Sequence, residues 1–250
     1  RTYLLSISKS QSVLLSFLME SFEAIGGVPK TLLVDNMKTI MDEPRTQYQA
    51  GKINERFYQF SKDCGFEVKP CIAGRPQTKA KVEAPMKLLD EIHAYQGKFN
   101  YEELHAFIQD LCNRVNSQYH QGTGKIPILH LKKERNLLSP LPNRKIRDFY
   151  KIDHIPVKVN TSNMVSFKSN MYSVPPGYIG KTVGLQVYDN KIHVYYNTDL
   201  IAEHQISNQK MNFKESHYVE NLSNQLHFKD NIEELALKNL AAINEVYKNE

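Results

Sequence analysis

Tryptophan is absent from the 250 residues, glycine and proline number 11 each, and cysteine occurs three times. So little glycine and proline, with apolar residues recurring throughout, excludes a chain that is disordered as a whole. The cysteines (Cys64, Cys71 and Cys112) are odd in number and lack CxxC spacing. That argues against a disulfide scaffold or a zinc finger and fits reduced thiols in the cytosol. No run approaches the ~18–20 consecutive apolar residues of a membrane helix. Arg1–Ser10 has neither the apolar core nor the cleavage site of a signal peptide, so a cytoplasmic, membrane-free setting is expected. HExxH, GxSxG, GxGxxG and P-loop motifs are all missing. Gly122-Thr123-Gly124-Lys125 lacks the first Walker glycine and the Ser/Thr after Lys, and reads as a loop.

What is present is ordinary globular composition, 41% hydrophobic and 24% charged, with a net charge of +5. The charge is unevenly spread. Residues 1–144 carry 20 basic and 15 acidic side chains, residues 145–215 carry 9 and 6, and residues 216–250 carry 3 and 6. Two basic blocks and an acidic tail suit a polyanion such as nucleic acid, although +5 over this length is also an unremarkable solvated surface.

Periodicity divides the chain into an α/β half and a β-rich half. Arg1–Ser8 is β-rich, and Ser10 then caps a helix whose apolar face is Val13, Leu14, Phe17, Leu18, Phe22 and Ile25, closed by Gly26-Gly27. Thr31–Asp35 reads as a buried parallel strand, 36–51 as a polar loop, Ile53–Cys64 as a helix and Phe66–Pro70 as a third strand. A loop, Cys71–Lys81, leads into a helix over 82–96. Asn100 and Glu103 form a capping box for a helix over 101–119, and a shorter helix follows around Ile128–Leu138. Ser139–Arg144 is a Pro-rich break, which places a linker over 139–154 after a first domain at 1–138. Six short strands between Pro156 and His204, with an Asp189-Asn190 hairpin turn, predict a small β-barrel over 155–206. A helical tail, 207–250, ends in an amphipathic helix over 228–247.

Asp35 ends its strand, and in open α/β sheets ligands bind beyond the carboxyl ends of strands. A carboxylate there suits magnesium or manganese as a hard oxygen ligand. It equally suits an Asx turn, because Asp-Asn is common turn chemistry. Glu83 follows Arg75, Lys79 and Lys81 within Gly74–Glu83 (GRPQTKAKVE), three cations spaced to hold phosphates around one carboxylate. The same stretch also reads as a solvated helix start with local salt bridges. Lys38, three residues beyond Asp35, is a further candidate phosphate contact. Lys132, Lys133 and Arg135 read as a solvated helix face, and Tyr188, Tyr195 and Tyr196 as base-stacking or core residues.

Five segments carry a resemblance: GGVP at 26–29, LVDN at 33–36, GFEVKPC at 65–71, GRPQTKAKVE at 74–83 and YSVPP at 172–176. Together, and in this order, they resemble the IstA-type insertion-sequence transposases over nearly the whole chain. The resemblance implies a retroviral-integrase-like RNase H fold with a DDE site, followed by a small SH3-like barrel. It aligns Asp35 with the family's second catalytic acid and Glu83 with its last, both as Mg2+ (or Mn2+) ligands. It implies DNA as partner, both element ends and target, with homo-oligomerisation and an AAA+ helper ATPase. The family's first catalytic Asp lies on a strand upstream of the segment matched by Arg1. The catalytic domain is therefore expected to be incomplete at its N-terminus, exposed at its sheet edges, and inactive alone. Ala84-Pro85 replaces a position where relatives commonly carry a basic residue. The other readings are a non-catalytic DNA-binding or oligomerising remnant, inhibitory in effect, and an RNase H-like nuclease.

Overall fold

Ser10 Oγ accepts the Val13 N–H at 3.2 Å and so opens helix α1 (Gln11–Ile25). Gly26, at φ 83°, ends it by donating its N–H to Phe22 and Glu23 carbonyls, a left-handed cap that glycine adopts without a Cβ penalty. The computed structural model describes residues 2–6, 8–73, 99–226 and 231–247. They fall into two compact units, Arg1–Lys151 and Ile152–Glu250.

In the first unit, β1 (Thr31–Val34) is followed by a short antiparallel pair, β2 (Met41–Glu43) and β3 (Lys52–Ile53), then α2 (Glu55–Cys64) and β4 (Glu67–Pro70). β1 pairs with β4 in parallel, Leu32 opposite Val68 and Val34 opposite Pro70. The core between them is aromatic. Phe66 packs edge-on against Phe22, Phe57 and Phe60, with ring centroids 5.6–6.4 Å apart, and Phe57 and Phe60 are fully buried. Truncating either ring to Ala would cost about 3–5 kcal/mol. Asn100 and Glu103 form the expected reciprocal capping box of α3 (Tyr101–Ser117), at 2.9 Å in each direction. Helix α4 (Pro127–Glu134) and a single 3-10 turn (Arg135–Leu137) follow, then α5 (Arg144–Tyr150).

Four expectations differ from what is observed here. The first described residues are not a strand; the Tyr3 N–H donates to Cys112 Sγ at 3.1 Å instead of joining a ladder. Helix α1 buries Leu15, Met19 and Phe22, a face rotated from the Val13/Phe17 stripe, because the helix is apolar most of the way round and the aromatic core selects one side. The stretch 36–51 is not a plain loop: it holds β2 and runs into β3. Residues 139–150, expected as linker, pack within the first unit. Val28 and Ser139 exchange backbone hydrogen bonds of 2.9 and 2.8 Å, and Tyr150 donates its hydroxyl to Asp63 at 2.6 Å while burying its ring against Phe60. Pro140 and Pro142 keep 139–143 out of helix, but helix α5 begins directly after them and the whole stretch packs. The helix expected over 82–96 lies outside the described residues.

The second unit holds β5 (Ile155–Lys158), β6 (Met164–Phe167), β7 (Asn170–Ser173), β8 (Thr182–Tyr188), β9 (Lys191–Tyr196), β10 (Asp199–Gln205) and β11 (Met211–Asn212). They form a four-stranded sheet in the order β10-β9-β8-β5 and a three-stranded one in the order β11-β7-β6. Val165, Tyr172 and Val174 from one sheet share a core with Val183, Leu185, Ile192 and Val194 from the other. The β8–β9 turn puts Asp189 and Asn190 at φ 52° and 59°, the positive pair that a two-residue hairpin needs. Helices α6 (Glu215–Gln225) and α7 (Ile232–Tyr247) close the unit, α6 lying within a tail where the sequence resolved only the second helix.

Candidate functional site

Because β1 and β4 run parallel in register, their carboxyl ends emerge side by side. The chain beyond β1 is Asp35-Asn36, and the chain beyond β4 is Cys71-Ile72-Ala73. The ladder extends one step further, the Cys71 N–H donating to the Val34 carbonyl at 2.8 Å. Asp35 is exposed, and its Oδ1 accepts the Asn36 N–H at 2.8 Å, a local turn bond of the kind expected of Asp-Asn.

Asn36 ties three segments together. Its Nδ2 donates to the Cys71 carbonyl at 2.9 Å, and its Oδ1 accepts the Arg45 N–H at 2.9 Å. Arg45 continues the network: Nη1 donates to the Pro70 carbonyl at 3.0 Å, and its own carbonyl accepts the Ala73 N–H at 2.8 Å. The result is a braced ledge at the strand ends, from which Asp35 faces solvent. The sequence reading missed both Asn36 and Arg45. Asn36 was visible only as half of a turn dipeptide and the last residue of LVDN, with no role assigned, and Arg45 lay inside the stretch read as a loop.

Of the other site residues, Lys38 is exposed on the turn in which Ile40 and Met41 N–H groups bond the Met37 carbonyl. Glu83, Arg75, Lys79 and Lys81 lie outside the described residues. As a metal ligand Asp35 fits in chemistry and position, being an exposed hard-oxygen donor. Among the described residues, no three His, Cys, Asp or Glu side chains gather as a metal site. Asp42, the nearest acid in sequence, accepts from Asn54 Nδ2 at 3.0 Å.

The weaker candidates resolve into structural roles. Arg135 donates from Nε to the Ile25 carbonyl at 3.1 Å and so satisfies the end of α1. Tyr188 and Tyr195 are buried, hydroxyl to hydroxyl at 2.9 Å, with Tyr188 stacked on His193 at 3.8 Å. Tyr196 is half-buried beside Tyr178, with Lys181 Nζ over both rings at 4.8–5.1 Å. The Gly122–Lys125 stretch is a tight turn in which Thr123 and Gly124 N–H groups bond the His120 carbonyl. Cys64 is buried, and burial with the neighbouring Asp63 pushes its thiol up to about 12, which makes it unreactive at neutral pH. Among the described residues no helix is long and apolar enough to cross a membrane.

Residues 147–213 match the family described as Mu transposase, C-terminal domain. The whole chain is 62% identical over 250 residues to the transposase for insertion sequence element IS232 of Bacillus thuringiensis subsp. berliner, covering 58% of that protein. It is 30% identical over 198 residues, 78% of the chain and 48% of the relative, to a putative transposase for IS5376 of Geobacillus stearothermophilus. It is 27% identical over 199 residues, 76% of the chain and 48% of the relative, to the transposase for IS21 of Pseudomonas aeruginosa. The chain thus spans about half the length of the curated relatives it matches.

Proposed function

We propose, from the premise that this chain is homologous to insertion-sequence transposases, over its full length to one and over about three quarters of it to others, that it serves in DNA transposition as part of a metal-dependent polynucleotidyl transferase. The observation that carries the reading is Asp35. It stands exposed at the carboxyl end of a parallel strand, on a ledge braced by Asn36, inside a chain 62% identical over 250 residues to an insertion-sequence transposase. In this reading the first unit is an RNase H-like catalytic core and the second an SH3-like barrel with a helical tail. The catalytic core of this reading takes in residues 139–150 as well as 1–138, the barrel spans 155–206 and the tail 207–250.

Asp35 and Glu83 would hold magnesium or manganese, while Arg75, Lys79, Lys81 and Lys38 would take DNA phosphates. When bound, such ions lower the pKa of water and stabilise the attacking and leaving oxygens of in-line displacement at phosphorus. The chain's own contribution is positioning. Asn36 fixes the backbone that carries Asp35, so the carboxylate meets its ligand without a conformational search. Element ends and target DNA are the substrates, a second copy and an AAA+ ATPase are the protein partners, and the setting is the bacterial cytoplasm.

The deciding experiment is end-cleavage and strand transfer with manganese, using this chain and a version extended upstream along the reading frame. The short chain is expected to be inactive and the extended one active, with activity abolished by Asp35→Ala or Glu83→Gln. An extended chain that binds element ends yet never cuts them would leave the non-catalytic remnant as the correct reading.

A further inference from the structure

The hairpin β2–β3, tied at its base to the strand-end ledge, carries an aromatic ring exposed to solvent. Tyr48 is 87% exposed, beyond every other large hydrophobic among the described residues. It is nonetheless held in place. Thr46 Oγ1 accepts the N–H groups of Tyr48 and Gln49 at 3.2 and 3.0 Å, and the Thr46 N–H donates to the Gln49 carbonyl at 3.0 Å. Gly51, at φ 75°, lets the returning strand pass so close that a Cβ would lie 2.8 Å from Glu43 O and Arg45 N. The base of the hairpin is bolted to the ledge through Arg45, which bonds Asn36, Pro70 and Ala73. Tyr48 is three residues beyond Arg45, so at most about 11 Å of chain carries its backbone away from the ledge that bears Asp35.

We propose that Tyr48 is a base-stacking contact: the braced hairpin tip presents its ring to an unpaired base of DNA held against the strand-end ledge. This rests on the reading of the first unit as a DNA-processing core and adds to it a specific surface and a ligand chemistry. An exposed aromatic ring on an ordered tip loses little entropy on stacking, and every base offers a π-face. The charge pattern fits the same partner. The tip itself, residues 44–51, contains Arg45 and no acid, and exposed Glu43 at its base is set opposite Lys52. Arg45 is meanwhile engaged with the Pro70 carbonyl, which leaves the tip itself to make a neutral contact rather than an ionic one. Within a duplex the π-faces are covered by neighbouring bases, so the ring selects frayed or single-stranded positions.

The test uses the 250-residue chain and a duplex with a short single-stranded overhang carrying 2-aminopurine at the junction. Binding is expected to change the fluorophore's emission through stacking. Tyr48→Ala should remove that change and weaken overhang binding by about 5- to 100-fold. Tyr48→Phe should retain both effects, and the slope of affinity with salt should be the same for all three proteins, because no charge is lost. Blunt duplex binding should be unaltered in Tyr48→Ala. If wild-type chain binds overhang DNA but Tyr48→Ala matches it in affinity and fluorescence, the stacking role is overturned while the DNA-processing reading stands. If the wild-type chain binds no DNA at all, that reading falls and the stacking role falls with it. A Tyr48→Ala defect confined to self-association overturns the stacking role in favour of a contact between copies.

Discussion

Asn36 illustrates how much one neutral side chain can decide. Its two 2.9 Å hydrogen bonds, to the Cys71 carbonyl and from the Arg45 N–H, join the ends of β1 and β4 to the hairpin. A neutral hydrogen bond contributes about 0.5–1.5 kcal/mol net, so Asn36→Ala should cost roughly 1–3 kcal/mol of first-unit stability, read as a lower urea midpoint. Amide exchange should speed up at Arg45 and Cys71 ahead of the core. In the extended enzyme the same variant should raise the manganese concentration needed for half-maximal cleavage, whereas a purely structural residue would lower activity at every metal concentration alike. Asp35 itself was legible in the sequence from strand-end position and motif. The role of Asn36 was not, because its partners lie 9 and 35 residues away, one brought in by the hairpin and the other by the parallel register.

At the scale of elements, caps and turns were legible because their chemistry is local. Ser10, Gly26, the Asn100/Glu103 box and the Asp189-Asn190 turn each depend on bonds within a few residues. Faces and short strands were not, since they depend on what lies opposite. Helix α1 offered two apolar stripes, and the Phe57/Phe60/Phe66 cluster chose the one with Leu15 and Met19. The β2–β3 pair has only three and two residues, too short for a period, and its sequence signal was reduced to Gly51. That glycine gives the hairpin its own test. Alanine there must adopt φ near 75° and press its Cβ against backbone atoms at 2.8 Å, a strain of about 1–3 kcal/mol. Gly51→Ala should therefore loosen the tip, seen as faster tryptic cleavage after Arg45 and Lys52 with the second unit unaffected. Unchanged cleavage would mean that the tip is not braced from this side.

For the whole molecule, the two units differ in how they are secured, and acid should tell them apart. In the second unit the Ser173 carbonyl on β7 is approached by His204 Nε2 from β10 at 2.7 Å and by His217 Nδ1 from α6 at 3.1 Å. Ser173 Oγ lies 3.0 Å from the same His217 nitrogen and accepts the Lys214 N–H at 2.9 Å. A carbonyl only accepts, so His204 Nε2 carries its proton there, and one residue pins both sheets and a helix. Both imidazoles are buried, and burial depresses their pKa, that of His217 to about 4 with His204 and Lys214 adding to the effect. The unfolded chain takes up these protons near pH 6.5, the folded unit only at lower pH, so these groups leave stability constant above about pH 7 and withdraw it as pH falls toward 4. For His217 alone the loss approaches about 3 kcal/mol. Glu20, in the first unit, acts in the opposite sense. Burial raises its pKa, so its ionisation weakens the first unit as pH rises. The second unit should thus melt first on acidification, lowering the melting temperature of its near-ultraviolet tyrosine signal between pH 7 and pH 4.5. His217→Asn, which keeps a hydrogen-bonding group near Ser173 but cannot titrate, should flatten that dependence. A slope identical in wild type and variant would place the acid sensitivity elsewhere.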